Sequence, residues 1–92
     1  MIKSFAHKGL EDFFLTGSIK GVQAKHVPKL EEILDRLDAA VHVKAMDFPE
    51  SGLHRLKGDK KNHWSVKVSG NWRVTFHFKG EDAHVANYQD YH

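Results

Sequence analysis

Ninety-two residues with a net charge of +2, 40% hydrophobic side chains, two Trp, two Tyr and six Phe make one small domain, residues 1–92, with enough apolar matter for a packed core. The absence of cysteine excludes a disulfide scaffold, a thiol nucleophile and any Cys-based zinc site. No apolar run approaches the roughly 20 residues of a membrane span, and MIKSFAHKGL lacks a signal-peptide core, so a cytoplasmic protein is expected.

Ile2 and Phe5 open the chain as a candidate edge strand. Leu10, Phe13 and Phe14 recur at helical spacing between His7 and Thr16, with Gly17 as a stop. Ser18 to Ala24 connects to a second helix, about His26 to Ala40, whose stripe is Val27, Leu30, Leu34, Leu37 and Val41. Pro28 fits its first turn, where the missing N–H is harmless. Lys29, Glu32, Asp35 and Arg36 form its solvated face. Met46 to Gly52 is a turn-rich link, and Leu53 to Asp59 is predicted as a strand running into a turn at Gly58-Asp59.

Trp64 to Phe78 carries the strongest signal. Trp64, Val66 and Val68, then Trp72, Val74, Phe76 and Phe78, alternate on either side of Ser69-Gly70-Asn71. Period-two alternation flanking such a break predicts a hairpin. Matching faces sets Val68 opposite Trp72 and Val66 opposite Val74, with a three-residue loop in which Asn71 tolerates the left-handed conformation. A two-residue loop would set Ser69 opposite Trp72 and scramble the faces. The other face then holds His63, Ser65 and Lys67 beside Arg73, Thr75 and His77, with Lys67 directly across from Arg73. Like charges so placed destabilise a sheet by about 0.2–1 kcal/mol. Either the two side chains splay apart on a solvated face, or an anion such as a phosphate sits between them.

Lys79 to Asp82 predicts a second tight turn and Ala83 to Tyr91 a last antiparallel strand. With Phe78 opposite Ala83, Phe76 faces Val85, and His84, Ala86, Tyr88 and Asp90 share the polar face with Arg73 and Thr75. The expected class is therefore α+β, a compact antiparallel sheet with two N-terminal helices packed on one face and a basic face left uncovered. The mild net charge makes local clustering matter more than bulk charge, and Lys57, Lys60, Lys61, His63, Lys67 and Arg73 supply such a cluster.

The eight histidines show no HExxH or HxH spacing, so no metal site is expected. His7, His26 and His42 read as surface or satisfied residues, whereas His54, His63, His77, His84 and His92 fall on or near the sheet. No GxSxG turn supports a serine triad. What remains is cations with a terminal Tyr and His around a phosphate-sized site. That inventory suits metal-free RNA cleavage, in which the substrate's 2′-OH attacks the adjacent phosphate while side chains move protons and hold charge.

LHRLKGD, HWSVKVSGNWRVTFHF and the closing NYQDYH, with MIKSFAHKGL at the start, resemble the HigB branch of the RelE-like toxins over essentially the whole chain. The resemblance implies a toxin of a type II toxin–antitoxin pair that enters the ribosomal A site and cuts mRNA there without metal or other cofactor. It implies silencing by a helix-turn-helix, HigA-like antitoxin, a hetero-oligomer with that partner and a monomer when free. Carried over by position, Lys57, Arg73, Tyr91 and His92 are the catalytic residues, and His54, Asn71 and Asp90 bind or orient. Relatives commonly carry an arginine on the first hairpin strand close to the Asn-Trp-Arg segment, where this chain has Lys67, Val68 and Ser69. The register puts Lys67 on the active face, so Lys67 is expected to stand in and bind phosphate, without arginine's bidentate fork. A non-catalytic RNA- or ribosome-binding module that keeps its antitoxin is the alternative this departure favours.

Overall fold

Helix α1 (Lys8–Thr16) begins where His7 Nδ1 accepts a hydrogen bond from the Leu10 N–H at 3.0 Å, satisfying one of the donors a helix start leaves unpaired. It ends at Gly17, which takes φ +79° and donates to the Phe13 carbonyl, a left-handed cap that glycine adopts without strain. The computed structural model describes residues 1–58 and 62–91. Helix α2 (Val27–Ala39) follows a 3-10 turn at Ala24–His26 and carries Pro28 in its first turn. Its buried stripe is Leu30, Ile33, Leu34 and Leu37. Ile33 thus joins the expected face, while Val41 leaves it at 63% exposed. The helix ends at Ala39 and Ala40 is already extended, so helical spacing no longer governs Val41. His42 then caps the 3-10 turn Val43–Met46 by accepting from the Lys44 N–H at 3.1 Å.

Four strands follow: β1 (His54–Arg55), β2 (His63–Ser69), β3 (Trp72–Lys79) and β4 (Asp82–Asp90), paired antiparallel in that order. The strand expected over 53–59 is confined to two residues, and Asp59 lies outside the described residues. The N-terminal segment joins β4 through parallel bridges at Ile2–Ala83 and Phe5–Ala86, as an edge.

Two registers depart from strict alternation. Between β2 and β3 the loop is the two residues Gly70 and Asn71, with Ser69 opposite Trp72. The three-residue loop and the Val68–Trp72 pair are therefore corrected, and Gly70 rather than Asn71 takes the positive φ of 56°. A bulge at Val68 absorbs the extra residue, so Val66 still opposes Val74 and Lys67 still opposes Arg73. Between β3 and β4, Phe78 opposes Ala83 as expected, but the register shifts between Thr75 and His77. Val85 and Ala86 there oppose the single residue Phe76, and Val85 adopts φ +48°. From that point β4 is inverted. Ala86 and Tyr88 are buried at 0% and 4%, Tyr88 opposes Val74, and Asp90 opposes Trp72. Asn87 and Gln89, not Ala86, Tyr88 and Asp90, come to lie across from Thr75 and Arg73.

One buried cluster joins Leu10, Phe13, Leu30, Ile33, Leu34 and Leu37 of the helices to Val66, Val74, Phe76, Phe78, Ala86 and Tyr88 of the strands. Each large side chain so buried contributes about 1.5–3 kcal/mol relative to exposure. Among the described residues, no helix is long and apolar enough to cross a membrane.

Candidate functional site

The face of the sheet opposite Val66, Val74 and Phe76 is organised in rows that cross the strands. The first row is Lys67, Arg73 and Gln89, neighbours by register. The second is His54, Ser65, Thr75 and Asn87. The third is His63, His77 and His84, with Leu56 of the β1 side donating its N–H to the His63 carbonyl at 2.8 Å. Rows are two residues apart along each strand, roughly 7 Å.

The first row holds the opposed cations. Arg73 is half-buried, and its Nη1 donates to Ser65 Oγ at 3.2 Å and toward the Gly52 carbonyl at 3.5 Å. Gly52 can present that carbonyl because it takes φ +55° just after Ser51, whose carbonyl accepts from the Lys67 N–H at 2.7 Å. The guanidinium is thus braced by a buried serine and a loop, with further N–H donors left over from these two bonds. Lys67 is exposed and shares a concavity of about 390 Å³ with Val68, Lys29 and Glu50. Lys29, assigned by the sequence to a solvated helix face, also lines this concavity, with its ammonium paired to Glu32 Oε1 at 3.3 Å.

At the same end Tyr91 is tied to the β2–β3 loop: its N–H donates to the Asn71 carbonyl at 2.8 Å, and the residue is 40% exposed. Asn71 supplies this bond from its backbone carbonyl. Asp90 precedes Tyr91 and sits across from Trp72, on the other side of the sheet from Arg73. His92 lies outside the described residues.

His54 is exposed one row from the cations. Lys57 is further off. It follows Leu56, which sits beside the third row, two rows or roughly 13 Å from the cation row, and it lines a concavity of about 420 Å³ with Arg55, Leu56 and Gly58. The register therefore gathers Lys67, Arg73, Asn71 and Tyr91 at one end, His54 between, and Lys57 at the other. Ser65 and Gln89 went unrecognised in the sequence. Ser65 was visible as the serine flanking Lys67 on the polar face, but nothing local marks Gln89, which depends on the Val85 bulge.

Below this face His26 Nδ1 and the Tyr88 hydroxyl meet at 2.5 Å, and the hydroxyl accepts from the Gln23 N–H at 3.4 Å. Burial, with Lys25 nearby, holds the His26 imidazole below its usual range, and burial pushes the Tyr88 phenol up. The neutral ring and the phenol share one hydrogen bond, and His26 Nε2 is buried with no hydrogen-bond partner among the described residues. Trp72 packs on Tyr88 with ring centroids 4.5 Å apart. This aromatic cluster packs behind the stretch of β3 from which Arg73 projects. Among the described residues, no three His, Asp or Glu side chains converge with the geometry of a metal site.

The fold and its rows define a class that comparison with known proteins makes explicit. The family model for the RelE-like toxin of type II toxin–antitoxin system HigB matches residues 3–92, so the chain belongs to the HigB-like toxin family. It is also 44% identical, over 92 residues and the full length of both proteins, to the Endoribonuclease HigB of Proteus vulgaris. The resemblance carried by LHRLKGD, NWRVTF and DYH is thereby established.

Proposed function

We propose that this toxin cuts mRNA in the A site of the translating ribosome by metal-independent acid–base chemistry, and that a helix-turn-helix antitoxin silences it in the cytoplasm. Endoribonuclease activity follows from its family and from the full-length relative. The observation that carries the finer reading is the Lys67–Arg73 pair: two cations directly opposite one another, one of them braced by Ser65 and Gly52. Left alone, the pair is repulsive. A phosphate between them turns both charges to use.

In this reading the helices back one face of the sheet and the RNA lies across the other. The 2′-OH attacks the neighbouring phosphorus, the P–O bond to the 5′ oxygen breaks, and a 2′,3′-cyclic phosphate and a 5′-OH result. One group takes the 2′-OH proton and another protonates the leaving oxygen. Tyr91 and His92 share those two tasks, with Asp90 orienting the chain end. Arg73 and Lys67 hold the charge that develops on the phosphoryl oxygens. Lys57 adds charge from the far end of the face, while His54 and Asn71 position the strand. A net charge of +2 is small for gripping free RNA, so the ribosome supplies the alignment.

The test is sequencing of mRNA 5′ ends after induction of the toxin alone, with and without a translation inhibitor. Growth arrest with new ends inside translated frames, abolished by the inhibitor, is expected. A folded, well-expressed chain that leaves transcripts intact sinks the reading and favours a binding module instead. Removal of Tyr91 and His92 that leaves cutting unchanged refutes the assigned chemistry.

A further inference from the structure

The third row has no part in the mechanism above. His63 and His77 stack with ring centroids 4.6 Å apart and 4° between their planes, and the His77 and His84 centroids are 6.2 Å apart. All three are half-buried. Because the rings lie side by side across three strands, they do not converge on a point as metal ligands do. The stacked pair covers the ring faces that His63 and His77 turn toward each other.

Neighbouring imidazoles discourage one another's protonation. His77 is held below its usual range by burial first, then by His63, His84 and Lys79. Further cations stand around the row. Lys57 follows Leu56 on the β1 side, Lys79 is in the next row outward, and Lys3 lies beside Ala83 in the edge segment. Asp82, opposite Lys79, is the carboxylate of that outward row and is paired with the N-terminal ammonium at 3.4 Å. A cluster of bases whose charged forms repel is stabilised by a polyanion laid across it, and by linkage the polyanion binds better as the bases protonate.

We propose that His63, His77 and His84 form a second phosphate subsite for the same RNA strand, two rows from the Lys67–Arg73 pair, whose hold tightens as pH falls. The subsite rests on the reading that RNA crosses this face. At neutral pH it is nearly silent, and in an acidified cell it adds to the toxin's grip on its substrate.

The experiment is fluorescence anisotropy of the full-length chain with a single-stranded RNA dodecamer 2′-O-methylated throughout, which cannot supply the attacking hydroxyl. Between about pH 7.5 and about pH 6 binding tightens several-fold, because a phosphate laid across the row favours the protonated rings. Over the same interval the slope of log K against log salt steepens by about 0.7 per added phosphate contact. The triple variant His63→Gln/His77→Gln/His84→Gln matches the parent at the higher pH and loses the tightening. His84→Lys, with a permanent charge, binds more tightly at the higher pH and responds less to acid. Thermal melts at both pH values establish that each variant is folded, and His84→Lys decides the matter if the triple variant is not.

A triple variant that keeps the parent's pH response assigns it to His54 or His92 and overturns the subsite. A parent chain with no response overturns it as well. Binding here does not require cutting. A chain with the expected pH response that leaves translated mRNA intact therefore refutes the nuclease reading alone, and a chain that cuts without the response refutes the subsite alone.

Discussion

The two hairpins built on β3 each contain one irregularity, with opposite consequences. In the β2–β3 hairpin the extra residue, Val68, sits next to a two-residue loop and cancels the face inversion that loop imposes. Alternation in the sequence survives, and Lys67 meets Arg73. In the β3–β4 hairpin the extra residue lies mid-strand, at Val85, with no loop change to offset it. Every later residue of β4 changes face, which buries Tyr88, brings Gln89 to Arg73 and carries Asp90 away. A bulge beside a turn is a local correction. A bulge inside a strand reassigns a site.

The largest effect should come from the point where the second bulge meets the core. Phe76, 1% exposed, faces Val85 and Ala86 across the ladder, and Phe76→Ala should cost about 3–5 kcal/mol in urea unfolding. A loss under half of that would mean the bulge tightens over the cavity. Next, Arg73→Ala should lower ribosome-programmed cutting by about 10²–10³-fold with little change in melting temperature. Gln89→Glu sharpens the comparison, since it sets a carboxylate opposite Arg73 to compete with phosphate. Cutting should fall several-fold, whereas an unaffected enzyme would show that the observed β4 register does not hold in solution.

Smaller effects separate the two bulges by backbone strain. Gly70 has φ +56° with open space around it, so Gly70→Ala should cost about 1–2 kcal/mol from the left-handed conformation alone. Val85 bears that strain already, and its side chain is 44% exposed. Val85→Asn should therefore be neutral or stabilising by up to about 1 kcal/mol. Destabilisation there would mean that the valine side chain, not the backbone, holds the bulge.

The last prediction concerns acid. His26 titrates below its usual range because it is buried, so below about pH 6.5 the unfolded chain binds protons that the folded chain refuses. Stability is full above that pH and falls as pH drops toward the lowered folded value, with His77 acting in the same direction. The urea midpoint should decline across this window and decline less in His26→Gln. A flat midpoint in the parent chain would contradict it.

By itself the sequence determined whatever obeys a local period. The 3.6-residue spacing of Leu30, Leu34 and Leu37, the stop at Gly17 and the first-turn Pro28 placed both helices to within a residue or so. Alternation from Trp64 to Phe78 placed the opposed Lys67 and Arg73, and the family motifs pointed to RNA chemistry. Tertiary structure decided the rest, because those features depend on residues far apart in the chain. The Val85 N–H donates at 2.9 Å to Ser4 Oγ, 81 positions away, in an edge segment that Ile2 and Phe5 dock onto Ala83 and Ala86. No window of local sequence contains both partners. The same holds for the His26–Tyr88 contact across 62 positions, and for the row in which three histidines from three strands meet. Side-chain spacing is written in covalent geometry, but the register of a bulged strand is chosen by which side chains the core accepts.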